Sequence, residues 1–414
     1  IAMQKYSGSE RLNIQKNWIL AFYELSRYLE SLPKEKKVIF IDELPWMDTP
    51  KSGFIAALEN FWNSWAALRD DVKLIVCGSA TSWMINNLIH SRGGLHNRLT
   101  HHLLLEPFCL RECEEYFKEY GFSYSRKQIA ECYMVMGGIP YYMSMMDRSK
   151  SLAQNIDALF FSPNAELKDE FSNLYQALFK NAGPHIKVIT ALSTKGIGLT
   201  RKEIIAATGL TDNGAFSTVL EELENCGFIR KYSPFGSNVS QNRKRLDSSS
   251  LYQMIDFYTL FYFRFIEKNS YQDEHFWTTS VNSPLHNIWC GLSFEMLCLC
   301  HLKQIKMALG ISGVQTLACS WRGKGDESKK GVQIDLLIDR KDETINLCEM
   351  KYSKDKFEIS LAEEQRLSAR LDTFRSETNT RKSVLLTLIT ANGLKHNSHS
   401  DIVQSEVTLE ELFS

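Results

Sequence analysis

Between Gly331 and Lys351 two largely apolar stretches are parted only by Lys341-Asp342-Glu343. A polar connection that short leaves them one arrangement, an antiparallel hairpin. The first stretch alternates, so Val332, Ile334, Leu336 and Ile338 take one face and Asp335 the other. On the second, Glu349 and Lys351 share a face. With Arg340 opposite Thr344, Asp335 falls across from Glu349, where facing Cβ atoms lie about 4.5–5.5 Å apart. A loop one residue different would turn the two acids to opposite faces. Two carboxylates that close can share one Mg2+, whose oxygen ligands sit at about 2.0–2.1 Å. Phosphodiester hydrolysis needs such an ion to activate water and offset charge, and a cation, here Lys351, beside the attacked phosphate.

The chain of 414 residues is too long for one ordinary core, so two or three domains are expected. Its apolar share of 44% and charged share of 23% are those of a folded protein. A net charge of -1 gives no global pull towards DNA or acidic lipid, so a nucleic-acid partner would need a local basic patch. No apolar run approaches the ~20 residues needed to span a bilayer, and no membrane partner is expected. The ten cysteines contain no C-x-x-C pair, and only Cys298 and Cys300 form C-x-C. They read as buried, reduced thiols of a cytoplasmic protein. The chain opens on Ile1 rather than Met, as a fragment of a longer chain would.

Residues 11–32 carry a helical stripe of Leu12, Trp18, Ile19, Phe22 and Leu25. Val38-Ile39-Phe40-Ile41 then reads as a strand buried on both faces, ending in Asp42-Glu43. An amphipathic helix over 53–68 leads to a second such strand, Leu74-Ile75-Val76-Cys77, ending in Gly78-Ser79. Strand, helix, strand at this spacing is a βαβ unit. His102–Leu105 suggests a further strand, and 109–160 is mostly helical with a break at Gly137-Gly138-Ile139-Pro140. Helices near 185–193, 201–208 and 213–226, with capping-box spacing between Thr200 and Glu203, precede a strand at Phe228–Tyr232. Three helices and a β-wing make a winged helix-turn-helix, with Ser237–Ser250 as wing tip or linker. The aromatic run from Phe257 to Phe265 reads as core packing. A helix over 285–306, strands near 314–320, 332–339 and 344–351, a charged helix over 359–374 and a strand at 383–389 complete the chain.

Taken together, VIFIDELPWM, LIVCGSATSWM, NRLT, LEPF and GGIPYY resemble the archaeal-type ATPases and their bacteroidete (bacterial) relatives, AAA+ and STAND-like proteins, over roughly residues 10–235. The resemblance implies that Asp42 holds the Mg2+ of ATP and that Glu43 polarises the attacking water. It implies that Ser79 senses the γ-phosphate and that Arg98 supplies a charge-stabilising guanidinium. No G-x-x-x-x-G-K-[ST] occurs, so a phosphate-cradling loop would have to lie upstream of Ile1, and ATP is expected as cofactor only if it does.

Asp335 followed by Glu349-Met350-Lys351, after Gly291-Leu292-Ser293-Phe294-Glu295, resembles the PD-(D/E)xK nucleases. In that family a helical acid supports metal or water, which makes Glu295 the fourth site residue. The implied fold is α/β and multidomain. It comprises a partial P-loop NTPase sheet (1–110), a helical lid (111–180), a winged helix (181–250), an aromatic linker helix (251–284) and a restriction-endonuclease-like α/β domain (285–414). The implied catalytic set is Glu295, Asp335, Glu349, Lys351 and Glu43, with Mg2+ on Asp335 and Glu349 and on Asp42.

Two readings stay open. One is a regulatory ATPase fused to a Mg2+-dependent nuclease acting on DNA. The other is a STAND-like signalling ATPase whose winged helix and C-terminal domain bind without cleaving; for the hairpin alone, the alternative to a nuclease-like site is a solvated hairpin whose charges face water. The candidate recognition helix carries Glu221, Glu222 and Glu224 but no Arg or Lys, whereas base readout favours Arg, Lys, Asn or Gln. Arg243, Lys244 and Arg245 are candidate phosphate contacts. DNA and a second copy of the chain are the partners to test.

Overall fold

The computed structural model describes residues 15–79, 81–89, 93–194, 198–232, 234–236, 250–269, 273–323 and 332–414. It divides into two compact units, Ile1–Leu104 and Leu105–Ser414. No helix among the described residues is long and apolar enough to cross a membrane.

In the first unit, α1 (Trp18–Ser31) opens where the Asn17 side chain accepts from Leu20 N–H at 2.9 Å. Its Phe22 stacks on Phe61 of α2 (Phe54–Ser64) with ring centroids 4.9 Å apart. β1 (Lys37–Ile41) and β2 (Val72–Val76) pair in parallel, from Lys37↔Val72 to Ile41↔Val76, which is the expected βαβ arrangement. Burial on both faces is not what these strands show. Ile39 is buried, but Val38 and Phe40 are 63% and 60% exposed. The apolar core here is built from α1, α2 and one face of the pair, so alternate β1 side chains meet no covering element among the described residues. His102–Leu105 forms no strand either. Leu103 and Leu105 stand exposed, because an apolar run without a partner strand has nothing to complete a ladder.

In the second unit one apolar cluster runs from Leu110 through Val135, Ile189, Leu223, Phe261 and Trp289 to Phe413. The stretches expected as lid, winged helix, linker and C-terminal domain therefore share a core. Helices α3 (Leu110–Glu119) and α4 (Arg126–Met136) lead to the Gly137-Gly138 break. There Phe108 N–H donates to Gly138 O at 2.7 Å, and a Cβ on Gly138 would lie 1.9 Å from Phe108 O. Only glycine permits that backbone approach.

Next come α5 (Ala182–Ser193), β3 (Leu199–Thr200), α6 (Arg201–Thr208), α7 (Gly214–Asn225), β4 (Ile229–Tyr232) and β5 (Leu251–Met254). Thr200 and Glu203 form the expected capping box, and the three strands pair antiparallel in the order β3-β5-β4. This sheet runs on to Met254, past the boundary expected at 250. The aromatic run then packs inward, with Phe261 and Phe265 edge-on to Trp277 and Trp289.

The last part is a five-stranded mixed sheet preceded by α8 (Pro284–Cys300). Strands β6 (Thr316–Arg322), β7 (Gln333–Arg340) and β8 (Thr344–Lys351) form an antiparallel meander. After α9 (Leu361–Thr378), β9 (Ser383–Thr390) lies parallel to β8, and β10 (Ser405–Thr408) lies parallel to β9. Both faces are covered. Leu336, Ile338, Cys348 and Met350 join the cluster that contains Phe294 and Leu297 of α8. Ile334, Leu337, Ile345 and Leu347 pack with Leu367, Leu371 and Phe374 of α9.

That partition departs from simple alternation at Ile334, which sides with Leu337 rather than with Leu336 and Ile338. The cause is a bulge. β6 pairs Cys319 with Leu337 and then Trp321 with Ile334, so β7 spends one residue more than β6 over this step, at Asp335-Leu336.

Candidate functional site

The β7–β8 hairpin keeps the register that its three-residue turn dictates, with Asp339↔Ile345, Ile338↔Asn346, Leu337↔Leu347 and Leu336↔Cys348 in sequence. The ladder stops there, one step before Asp335 and Glu349, at the bulge. The site is therefore built where β7 leaves strict pairing, a place where bulges commonly re-aim a side chain.

Glu349 lies on the α9 side of the sheet and is 7% exposed. Three cations meet it. Lys351 Nζ approaches Oε1 at 2.8 Å, Arg366 Nη2 donates to Oε1 at 3.0 Å, and Arg370 Nη1 donates to Oε2. Burial works to raise the Glu349 carboxyl, but Lys351 and Arg370 together outweigh it and hold the group below its usual range. Glu363, one turn before Arg366, pairs with that arginine and stands 3.9 Å from Lys351.

Asp335 is partly buried and accepts a hydrogen bond from the Gln333 side-chain amide at 2.8 Å. Burial pushes its carboxyl up, the Gln333 bond opposes this, and the Glu349 charge adds to the rise. Glu295, on α8, is pushed up to about 8, first by burial and then by the Asp335 and Glu349 charges. The expected four, Glu295, Asp335, Glu349 and Lys351, thus share one electrostatic neighbourhood. Only Glu349 and Lys351 touch directly. No group of three or more His, Cys, Asp or Glu side chains converges closely enough to hold a metal ion among the described residues.

The residues missed in the sequence are Arg366, Arg370 and Gln333. A signal for the arginines was present. Four residues apart on a helix, they share a face, but which element that face meets is decided by the docking of the helix and not by the spacing.

In the first unit, Asp42 and Glu43 follow β1 while Ser79 follows β2, and the parallel ladder sets those strand ends side by side. Glu43 takes a left-handed backbone (φ 46°, ψ 52°), an uncommon conformation for a residue with a Cβ. Its Oε2 accepts from Ser79 N–H at 3.2 Å and from Ser79 Oγ at 3.0 Å. Asp42 accepts from Glu43 N–H at 3.0 Å and from the Cys77 thiol at 2.7 Å, and this bond raises the thiol pKa. Gly78 is needed between them, since a Cβ there would lie 2.6 Å from Pro45 Cδ. Arg98 is exposed, and no bond joins it to Asp42, Glu43 or Ser79 among the described residues.

On α7, Glu222 is engaged structurally, its carboxylate 2.7 Å from Nε2 of the buried His185. Asp212 pairs with Arg201, and Asn213 caps the helix instead. Arg243, Lys244 and Arg245 lie outside the described residues.

No family model matches the chain. It is similar to the uncharacterized protein MJECL04 of Methanocaldococcus jannaschii, 23% identical over 260 residues, which are 63% of this chain and 56% of that protein. The chain thus spans about half the length of the curated relative it matches. Among solved structures it is weakly similar to the Walker-type ATPase PABY2304 of Pyrococcus abyssi, at 16% identity and a TM-score of 0.42, over 63% of this chain and 73% of that one.

Proposed function

We propose that the C-terminal sheet carries a phosphodiester-hydrolysing site of the PD-(D/E)xK kind, acting on nucleic acid, and that the first unit is part of a nucleotide-binding regulatory domain. The observation carrying this reading is the contact between Glu349 and Lys351 beside two further acids, Asp335 and Glu295, whose charges burden one another. Helix, antiparallel meander, helix and parallel strand, in that order, support the same reading. So does the sheet of β3, β4 and β5 with α5, α6 and α7, read as a winged helix.

The donor types are those of a hard divalent cation, although no three of these side chains converge on one point among the described residues. All three acids offer oxygen, and Glu295 and Asp335 are raised first by burial and further by neighbouring negative charge, the part that a cation would relieve. Asp335 and Glu349 would hold it, with Glu295 within reach of their charge. Such an ion, when bound, supplies an activated water and neutralises charge on the attacked phosphate. Lys351 places its ammonium beside Glu349, where it offsets charge building on a phosphate oxygen. Glu295 retains its proton near neutrality and can release it when the local charge changes. In the first unit, Asp42 and Glu43 would serve the Mg2+ and the water of a nucleotide, and no phosphate-cradling motif accompanies them in this sequence.

The full occupation of Glu349 by cations favours a second reading, in which the domain binds without cleaving. A plasmid-nicking assay with and without Mg2+ separates the two. Activity that needs Mg2+ and disappears in both Asp335→Ala and Lys351→Ala supports hydrolysis. Absence of Mg2+-dependent nicking by folded wild-type protein, or nicking that survives both substitutions, sinks it.

A further inference from the structure

Glu349 has more counter-charge than one carboxylate requires. In directly paired contacts Lys351, Arg366 and Arg370 face Glu349 and Glu363, three cations against two acids, while Asp335 and Glu295 act on Lys351 and Arg370 through charge alone. Exposure is graded in the same direction. The Glu349 side chain is 9% accessible, while those of Lys351, Arg366 and Arg370 are 28%, 41% and 21% accessible. The acid forms the floor, and the cations stand nearer the opening.

Arginine offers five N–H donors in a planar fork that matches the oxygens of a phosphate. Arg370 gives one of these to Glu349, and Arg366 divides its bonds between Glu349 and Glu363. Donors therefore remain on both guanidinium groups for an incoming anion. Both arginines are carried by α9, whose Leu367, Leu371 and Phe374 are buried against the sheet, so the pair is held on a rigid element.

We propose that Lys351, Arg366 and Arg370 form a cradle for the phosphate backbone of a nucleic-acid strand, with Arg366 and Arg370 as substrate-binding residues. The cradle rests on the phosphodiester reading of this site, but it concerns binding and does not require cleavage. Glu349 holds the guanidinium groups in place until the strand arrives. The backbone phosphate then takes up their outward donors.

The test is binding of a fluorescein-labelled single-stranded oligonucleotide to the full chain, by anisotropy in EDTA across a potassium chloride series. Each phosphate contact contributes about 0.7 to the slope of log affinity against log salt for a single strand. Arg366→Gln/Arg370→Gln is expected to lower that slope by about 1.4 and to weaken binding roughly ten-fold or more at low salt. Because the double variant also strips partners from a buried acid, Arg366→Lys/Arg370→Lys serves as the folding-competent control and should restore most of the slope. An unchanged slope in the glutamine variant overturns the cradle, as does a wild-type chain that fails to bind oligonucleotide at low salt. Binding that follows the arginines, without Mg2+-dependent nicking, supports the cradle while the hydrolytic reading fails. Nicking that persists in the glutamine variant with an unchanged KM leaves hydrolysis standing and removes the cradle.

Discussion

The two units each set acidic residues at the ends of parallel or mixed strands, but they enclose them differently. In the first, β1 and β2 are covered on one face, Phe40 faces outward and Asp42 is exposed. In the second, α8 and α9 cover both faces of β7 and β8, and Glu349 is buried among three cations. Similar local motifs, an apolar strand followed by acids, thus reach different electrostatic settings. The difference lies in what the rest of the chain packs over them, because desolvation gives a neighbouring charge its leverage.

The largest test of that contrast is core truncation. Leu347→Ala, at a fully buried position in β8, is expected to cost about 2–5 kcal/mol. Phe40→Ala, on the exposed face of β1, should cost less than about 0.5 kcal/mol. Urea unfolding followed by circular dichroism measures both, and equal losses would break the comparison. Next come the acids. Glu349→Gln should lose about 2–3 kcal/mol, discounted because its partners are partly exposed, whereas Asp42→Asn should stay within about 0.5 kcal/mol.

Helix caps should ignore the contrast, since a cap is local. Asn17→Ala in the first unit and Thr200→Ala in the second are each expected to cost about 1 kcal/mol. A thermal melt with a single large cap effect confined to one unit would argue against that locality.

A pH dependence separates two further buried groups of the second unit. His301 is buried. Its Nε2 accepts Leu110 N–H at 3.0 Å, its Nδ1 bonds Leu297 O at 2.8 Å, and burial holds its pKa below the ordinary 6.5. The folded chain then binds fewer protons than the unfolded chain, so stability is full above about 6.5 and falls as pH drops below it. Glu295 runs the other way. Its folded pKa of about 8 stands above the ordinary 4.5, so the stability linked to it is present below 4.5 and is lost as pH climbs towards 8. Urea midpoints across pH should show the loss below about 6.5 diminish in His301→Gln and the loss between 4.5 and about 8 diminish in Glu295→Gln.

How much could be read in the chain depended on how local the cause was. The hairpin register followed from a three-residue turn and flanking apolar residues, and the contact of Glu349 with Lys351 followed from their two-residue spacing. The Thr200 capping box was equally local. The orientation of Ile334 was not legible, because the bulge is set by pairing with β6, whose Cys319 and Trp321 lie across a different connection. Arg366 and Arg370 were hidden for a related reason, since only the docking of α9 decides which helical face meets β8. Val38 and Phe40 were misjudged because an apolar run states a preference for burial without supplying the element that buries it.

The extra residue in β7 also divides the strand into halves that answer to different partners. A length change anywhere else in β7 would hand every side chain beyond it to the wrong layer. At Asp335-Leu336 the ladder already tolerates a mismatch, so a change of length there could be absorbed while Leu337 and Ile338 kept their neighbours. The acid is thereby mounted at the one joint of this strand where its aim can be altered without dismantling the layers on either side.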